Sequence, residues 1–206
     1  EIDFIVQQCE HELLKFNSEK YLQENLERIE NKPGSIKVKH INKTNVFVTN
    51  FVKLKVFHIL NLILNFRLAE PTIIYNVTHD GSIDNKLFGG YSKNQLAWEA
   101  HIDGYKHDFK ALIALEDINL ENGPTAILSN SSFKISLFNN YFNIYYLKKF
   151  KKKLGPTTII KSNKDNMNKY KKILLKKGSC LFFDSRSLHY ASSLTNGKRK
   201  ILWLYF

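Results

Sequence analysis

Two side chains that bind metal ions stand two residues apart in the segment His101-Ile102-Asp103. In a β-strand, residues i and i+2 point to the same face, so this imidazole and this carboxylate can reach one common point. A third ligand, His189, must come from elsewhere in the fold. Two histidines and one carboxylate form the facial triad of non-haem Fe(II) oxygenases, which leaves coordination positions open for a co-substrate and O₂. The sequence therefore predicts an iron site made of these three side chains.

Arg199 follows the last candidate ligand along the chain. A guanidinium group can bind a carboxylate through two parallel hydrogen bonds. Combined with the metal ligands, this cation favours an oxygenase that uses 2-oxoglutarate as its co-substrate. The competing interpretation is a plain basic turn at Lys198-Arg199-Lys200.

Strand alternation makes a further prediction about Arg199. If His189 points into the site, Ser193 does so as well, because side chains alternate between the faces of a strand. A two-residue hairpin would turn Arg199 outward, whereas a three-residue loop with Gly197 left-handed would pair Arg199 with Ser193 and turn it inward. The chemistry requires the three-residue loop, which would also place Trp203 opposite His189.

Four segments of the sequence resemble the phytanoyl-CoA dioxygenase family. They are Gln95 to Gly104 around the first ligands, Lys110 to Pro124 ending in an Asn-Gly-Pro turn, Gly178 to His189, and Arg199 to Phe206. Their order and spacing are those of the family, and the resemblance covers the chain from about residue 51 to its end.

The resemblance implies a mainly β fold with flanking helices, built on the double-stranded β-helix (jelly-roll) core of cupin-like proteins. It implies an Fe(II)- and 2-oxoglutarate-dependent dioxygenase in which His101, Asp103 and His189 are the metal ligands and catalytic residues. Arg199 would hold the distal carboxylate of 2-oxoglutarate. In such enzymes O₂ and 2-oxoglutarate give succinate and CO₂ while a substrate C–H bond is hydroxylated. The carboxylate at Asp103 favours hydroxylation over halogenation.

Three other residues are candidates for binding the co-substrate. Lys110 either contacts 2-oxoglutarate or the substrate, or is a solvated strand residue. The family's serine lies two residues after the distal histidine, where this chain has Ala191. Ser192 or Ser193 could instead donate a hydrogen bond to the distal carboxylate.

The chain of 206 residues is interpreted as a single oxygenase domain over residues 1–206. Residues 1–66 are expected to be a mostly helical N-terminal part, and residues 67–206 a jelly-roll core with an insertion near 131–155. Because the first residue is Glu1 and the N-terminal part is shorter than in the family, we expect the chain to be truncated at its N-terminus.

Apolar residues at helical spacing predict two helices within residues 3–30, the second of them ending near Ile29. A strongly apolar helix is predicted from Phe51 to Phe66, packed on the outside of the sheet. Its apolar stretch from Val56 is too short and too polar for a membrane span. One side of this helix carries Val52, Val56, Ile59, Leu60 and Ile63.

Short β-rich segments separated by Gly, Pro and Asn predict an antiparallel sandwich or jelly roll. The predicted strands are Thr72–Val77, His101–Asp103, Phe109–Leu115, Thr125–Leu128, Thr157–Lys161, Gly178–Phe183, His189–Leu194 and Ile201–Phe206.

The formal net charge of +12 indicates a solvated basic surface rather than a nucleic-acid site, because no nucleic-acid motif accompanies it. Two cysteines give no disulfide framework, which favours a cytoplasmic location.

We expect a small-molecule or acyl-conjugate substrate, and no nucleic-acid or membrane partner. The sequence leaves the oligomeric state open. The alternative functions are a catalytically silent jelly-roll binding module and, ranked last, a basic nucleic-acid-binding protein.

Overall fold

A computed structural model describes residues 1–15, 28–32, 35–64, 68–79, 100–103, 109–131, 157–159, 168–192 and 194–206. Within these ranges the fold is mainly β, with eleven strands in two sheets and a few helices. The strands are β1 (Ile29–Lys32), β2 (Ser35–Val38), β3 (Thr72–His79), β4 (His101–Asp103), β5 (Phe109–Ala114), β6 (Thr125–Ile127), β7 (Thr157–Ile159), β8 (Lys171–Ile173), β9 (Cys180–Asp184), β10 (His189–Ala191) and β11 (Lys198–Tyr205).

The two sheets have the arrangement of a double-stranded β-helix. The first sheet has the strand order β1-β2-β3-β11-β5-β9, the second has the order β7-β4-β10-β6-β8, and neighbouring strands are antiparallel. From β3 to β6, and again from β8 to β11, consecutive strands alternate between the two sheets. The predicted mainly β, jelly-roll fold with flanking helices is confirmed.

Two longer helices lie on one side of the first sheet. Helix α1 spans Ile2–Lys15, and helix α2 spans Val46–Leu64 with a π-helical turn at Lys53–Phe57. The backbone N–H of Val48 donates to Asn45 Oδ1 at 3.1 Å, so Asn45 caps the start of α2. A short 3₁₀ helix at Ile41–Lys43 precedes this cap.

Strand β11 separates two layers of core because its side chains alternate between its faces. Leu202 and Leu204 are buried in a cluster with the α2 residues Val52 and Val56. Ile201 and its neighbours belong to a second cluster with residues of β5 and β9. One face of the first sheet therefore packs on the helices, and the other face points toward the second sheet.

Helix α2 differs from its prediction in length and in its buried face. It begins at Val46 rather than Phe51, because Asn45 supplies the cap. Ile59 and Ile63 were expected on the buried side, but 47% and 73% of their surfaces are exposed. The π-helical turn has more residues per turn than an α-helix, so a four-residue repeat stays on one face. The buried side consists of Val48, Val52, Val56 and Leu60.

The length argument against a membrane span was also wrong. At 19 residues, α2 is long and apolar enough by length and composition to cross a membrane. The same composition suits a helix that packs on a core, and its buried side lies in the cluster with the first sheet. The expectation of no membrane partner stays a prediction.

The N-terminal part also supplies strands. Ile29 lies in β1 and not at the end of a second helix, and residues 16–27, where that helix was expected, lie outside the described residues. Strands β1 and β2 extend the first sheet beside β3. The expected insertion near 131–155 lies outside the described residues beyond Ser131.

Candidate metal centre and co-substrate site

The three predicted metal ligands lie together on two neighbouring strands of the second sheet. His189 of β10 is the direct ladder partner of His101 of β4, and Asp103 follows two residues later on the same face. One ligand atom from each residue can be chosen so that all three atoms lie within 4.8 Å of one another. The fold thus brings together residues that are 88 positions apart in the chain.

The side chains of this triad converge on one point. His189 Nε2 lies 3.4 Å from Asp103 Oδ2, and His101 Nε2 lies 3.8 Å from Asp103 Oδ1. The two imidazole ring centroids are 4.5 Å apart. Two imidazoles and one carboxylate at this separation fit a divalent transition metal with open coordination positions.

A hydrogen bond fixes which nitrogen of His189 faces the triad. His189 Nδ1 lies 2.8 Å from the carbonyl oxygen of Ser187. A carbonyl only accepts, so Nδ1 donates and the lone pair of the neutral ring is on Nε2. This is the nitrogen that faces Asp103, as metal binding requires.

The turn before His189 is held by Asp184. Its carboxylate accepts from the backbone N–H of Arg186 at 2.8 Å and from Arg186 Nε at 2.9 Å. The backbone N–H of Ser187 donates to the carbonyl oxygen of Asp184 at 2.9 Å. These bonds set the position from which Ser187 orients the His189 ring.

Lys110 lies beside the triad. Its ammonium group forms an ion pair with Asp103 Oδ2 and lies 5.1 Å and 4.5 Å from the ring centroids of Trp203 and Tyr205. Only 5% of Lys110 is exposed, so its interpretation as a solvated strand residue is wrong. Lys110 pairs with Tyr205 in the first sheet, and its side chain therefore reaches across to the second sheet.

The negative charge on Asp103 is stabilised by the side chains around it. Burial opposes ionisation of this carboxyl group, but its polar contact with His189 and the charge of Lys110 outweigh burial and lower its pKa well below the ordinary value. Burial likewise opposes the charged form of Lys110, and Tyr205 and Asp103 together raise the pKa of Lys110. The triad therefore offers an ionised carboxylate at neutral pH.

The predicted hairpin between β10 and β11 is wrong. β10 belongs to the second sheet and β11 to the first, so Arg199 pairs with Thr78 and Trp203 with Ile74 and Leu112. The chain crosses between the sheets after β10 instead of folding back on it. Gly197 is left-handed, with φ of 73°, as the loop prediction required.

Trp203 approaches His189 through an intermediate ring rather than through a ladder. The Phe183 ring packs edge-on against His189 at 5.2 Å and against Trp203 at 6.4 Å between centroids. Sequence reasoning missed Phe183. Its only signal is an aromatic residue in the strand that precedes the distal histidine.

Arg199 is a buried cation with one hydrogen-bond partner in the described part of the chain. It is 6% exposed, and its Nη1 donates to the carbonyl oxygen of Gly123. Its Nε has no hydrogen-bond partner, and no carboxylate among the described residues forms an ion pair with it. Burial lowers the pKa of Arg199 to about 10, so the guanidinium remains charged at neutral pH. The alternative of an exposed basic turn does not fit this burial.

Ser192 and Arg199 both lie against Gly123. It is 7% exposed, and its Oγ has no hydrogen-bond partner within the described part of the chain. Its backbone N–H donates to the carbonyl oxygen of Pro124 at 2.9 Å. Ser193, the other predicted serine, lies outside the described residues.

The model of the phytanoyl-CoA dioxygenase family matches residues 91–201. The match covers more than half of the chain and includes all three triad residues and Arg199. The chain belongs to the phytanoyl-CoA dioxygenase family. No curated protein sequence matches it significantly.

Solved structures share the fold at low sequence identity. The carbocyclase SnoK from nogalamycin biosynthesis is 12% identical, with a TM-score of 0.57 over 98% of this chain and 73% of that chain. The epimerase SnoN, in complex with Fe³⁺, α-ketoglutarate and nogalamycin RO, is 13% identical, with a TM-score of 0.56 over 96% of this chain and 73% of that chain. HygX from Streptomyces hygroscopicus, with nickel, 2-oxoglutarate and hygromycin B bound, is 11% identical, with a TM-score of 0.51 over 90% and 76% of the two chains.

Proposed function

We propose that the protein is an Fe(II)- and 2-oxoglutarate-dependent dioxygenase that hydroxylates a small molecule or an acyl conjugate. The observation that carries this proposal is the convergence of His101, Asp103 and His189 between the sheets of a jelly roll. Membership of the phytanoyl-CoA dioxygenase family supports it, as does the binding of iron or nickel with 2-oxoglutarate by two proteins of the same fold.

The donor set fits Fe(II), so His101, Asp103 and His189 are the residues that would hold it. When bound, Fe(II) supplies the O₂ activation that couples decarboxylation of 2-oxoglutarate to succinate with hydroxylation of a C–H bond. The chain supplies the orientation of the ligands. Ser187 fixes the His189 ring, and Lys110 neutralises the part of the carboxylate that it contacts.

Arg199 and Ser192 are suited to the distal carboxylate of 2-oxoglutarate. Both are buried polar side chains with an atom that lacks a hydrogen-bond partner in the described structure. Such groups are costly unless a ligand satisfies them.

The site also excludes bulk water. His101, His189 and Lys110 are each at most 9% exposed, and the Phe183 ring covers His189 on one side. A dry site strengthens the interactions among the fixed charges and prevents side reactions. The protein's contribution is thus ligand geometry, charge placement and exclusion of solvent.

One observation favours a second function, a catalytically silent binding module. The ion pair with Lys110 already compensates the Asp103 carboxylate without a metal ion. A protein that retained the fold but had lost turnover could be stabilised in this way.

Succinate production separates the two functions. Purified protein incubated with Fe(II), ascorbate, O₂ and 2-oxoglutarate should release succinate, and Asp103→Ala should release none above background. Glu70→Ala is the matched control, because Glu70 is an exposed carboxylate whose side chain is 74% accessible, and it should retain activity. Absence of succinate from iron-loaded, folded wild-type protein would favour the binding module.

The type of reaction, the class of substrate and the cellular location are more specific parts of this proposal. We propose hydroxylation because the carboxylate at Asp103 favours it over halogenation, although SnoN and SnoK are an epimerase and a carbocyclase. A small-molecule substrate is supported by the antibiotics bound to SnoN and HygX. A single domain over residues 1–206 and a cytoplasmic location remain predictions.

A further inference from the structure

The Asn-Gly-Pro turn contains a glycine whose backbone lies against Arg199. Gly123 has a φ of 77°, in the left-handed region that side chains disfavour. The turn is braced by its own side chains. Asn119 Oδ1 accepts from the backbone N–H groups of Glu121 and Asn122 at 2.9 and 3.1 Å, and Asn122 Nδ2 donates to the carbonyl oxygen of Asp117 at 2.7 Å. The position of Gly123 is therefore fixed locally.

A side chain at Gly123 would be crowded by the Ser192 backbone. A Cβ atom there would lie 3.0 Å from the carbonyl oxygen of Ser192, 3.4 Å from Leu194 Cβ and 3.6 Å from Arg199 Nη1. The Ser192 backbone cannot easily retreat, because its N–H is bonded to Pro124 and Leu194 forms a β-bridge with Asn122. An alanine at Gly123 would force the Ser192 segment back by a few tenths of an ångström, whereas its Cβ would meet Arg199 Nη1 at an ordinary van der Waals distance.

The carbonyl oxygen of Gly123 is also the hydrogen-bond partner of the guanidinium. It accepts from Arg199 Nη1, while Nε of the same group has no hydrogen-bond partner among the described residues. A planar guanidinium held at one edge presents its remaining N–H groups in a fixed direction. Ser192 Oγ, another buried atom without a partner, lies on the residue that packs on Gly123.

We propose that Gly123 is a positioning residue for the subsite that binds the distal carboxylate of 2-oxoglutarate. Its carbonyl oxygen orients Arg199, and its missing side chain lets the Ser192 backbone pack closely on the turn beside Arg199. This inference rests on the proposed function, since it assigns a role in binding the co-substrate of that reaction. It adds a residue that never touches the co-substrate.

Gly178 provides a matched control. Its φ of 84° is close to that of Gly123, so an alanine meets similar backbone strain at both positions. A Cβ atom at Gly178 would have nothing within 4 Å. A difference in 2-oxoglutarate affinity between Gly123→Ala and Gly178→Ala is therefore caused by the contacts at Gly123 and not by strain in the left-handed backbone.

The test is calorimetric titration of the Mn(II)-loaded protein with 2-oxoglutarate and, separately, with 2-oxobutyrate. 2-Oxobutyrate keeps the 2-oxo acid group but lacks the distal carboxylate. We expect Gly123→Ala to weaken 2-oxoglutarate binding at least tenfold, with Gly178→Ala within twofold of wild type. Binding of Mn(II) and of 2-oxobutyrate should be the same in all three proteins.

Two results would overturn the inference while leaving the proposed function standing. One is equal 2-oxoglutarate affinity in the two alanine variants. The other is an equal loss for 2-oxoglutarate and 2-oxobutyrate in Gly123→Ala, which indicates a general structural effect. Wild-type protein that binds Mn(II) but no 2-oxoglutarate would contradict both the inference and the proposed function.

A second variant keeps the test decisive if Gly123→Ala does not fold. Arg199→Lys retains the positive charge but replaces the planar fork with one ammonium group. It should lose 2-oxoglutarate affinity tenfold and keep its 2-oxobutyrate affinity. Full affinity for 2-oxoglutarate in this variant would show that a guanidinium held by Gly123 is not needed.

Discussion

Lys110 is the residue whose surroundings differ most from the sequence expectation. A lysine at the start of a short strand gives no signal of burial, yet its ammonium group lies over the rings of Trp203 and Tyr205 and pairs with Asp103. In metal-free protein this cation compensates the triad carboxylate. A bound divalent cation would take over that role and would also repel the ammonium group.

Lys110→Met should therefore have opposite effects on stability and on metal affinity. Removing one partner of a buried ion pair costs about 3–5 kcal/mol, so the metal-free variant should unfold at lower denaturant concentration. Mn(II) should bind the variant more tightly than wild type, because no ammonium group then competes with the metal ion for Asp103. Denaturation with and without Mn(II), together with calorimetric titration, measures both effects.

Lys176→Met is the control for this pair of measurements. The Lys176 side chain is 86% accessible and pairs with Asp117 at the surface, where an ion pair contributes little. Neither stability nor Mn(II) affinity should change. Loss of Mn(II) binding in Lys110→Met would mean instead that Lys110 organises the triad.

The triad itself was predictable from residue types and spacing. His101 and Asp103 lie two residues apart in a strand, and that spacing alone puts both side chains on one face. His189 and Arg199 were proposed from their residue types, and the family resemblance supports their order along the chain. The supporting contacts of Phe183 and Gly123 were not predictable, because they depend on how two sheets face each other.

At the scale of the element, helix α2 shows that a local apolar pattern predicts a helix but not which of its faces is buried. Its apolar character predicted a helix, but the buried face follows a four-residue repeat set by the π-helical turn. The connection from β10 to β11 shows the same limit. Asn196 and Gly197 indicate a turn, whereas the sheet that each strand joins is decided by distant partners.

Two leucines on α2 test the assignment of its buried face. Leu60 is 8% exposed and Leu62 is 68% exposed. Leu60→Ala should lower the free energy of unfolding by about 2–5 kcal/mol, toward the lower end because Leu60 is not fully buried. Leu62→Ala should change it by no more than about 0.5 kcal/mol. Because the same substitution is made in the same helix, its effect on helix propensity cancels when the urea unfolding curves are compared.

Equal effects of these two substitutions would contradict the assignment. A larger effect of Leu62→Ala would mean that the face now described as exposed is covered in solution.

A buried carboxylate in α1 gives a pH-dependent prediction. Glu12 is 1% exposed, and its carboxylate accepts hydrogen bonds from Lys15 Nζ at 2.6 Å and Thr44 Oγ1 at 2.9 Å. Burial opposes its charge, but these bonds outweigh burial and lower its pKa. A pKa lowered by folding adds stability above the unfolded-state pKa, and this stability is lost as pH falls through the folded-state value.

Glu12→Gln should therefore be less stable than wild type by about 1–3 kcal/mol at neutral pH. The difference should shrink as the pH falls below the ordinary pKa of glutamate. Urea unfolding of both proteins from pH 7 to pH 3 measures it. A difference that stays constant over this range would show that the charge of Glu12 contributes nothing.

At the scale of the whole molecule, the alternation of strands between two sheets explains why the site can form. Ligands from β4 and β10 lie in the second sheet, whereas Lys110, Phe183 and Arg199 come from the first. The site is closed only when the two sheets pack face to face. Local sequence predicted the strands and the class of fold, and the pairing that brings His101 beside His189 is a property of the complete architecture.

The net charge of +12 also belongs to this scale. Several described lysines pair with acidic side chains at separate places, among them Lys15, Lys53, Lys55 and Lys176. The lysine-rich run at residues 148–153 lies outside the described residues, so the expectation of no nucleic-acid partner stays a prediction.

The most direct test of the central claim is anaerobic titration of the Fe(II)-loaded protein with 2-oxoglutarate, followed by the visible metal-to-ligand charge-transfer band. Wild type should develop the band, His189→Ala should not, and His58→Ala should keep it, because His58 is an exposed histidine on α2. Wild-type protein that binds Fe(II) but shows no band, or a band that survives in His189→Ala, would contradict the assignment of the triad and the proposed activity.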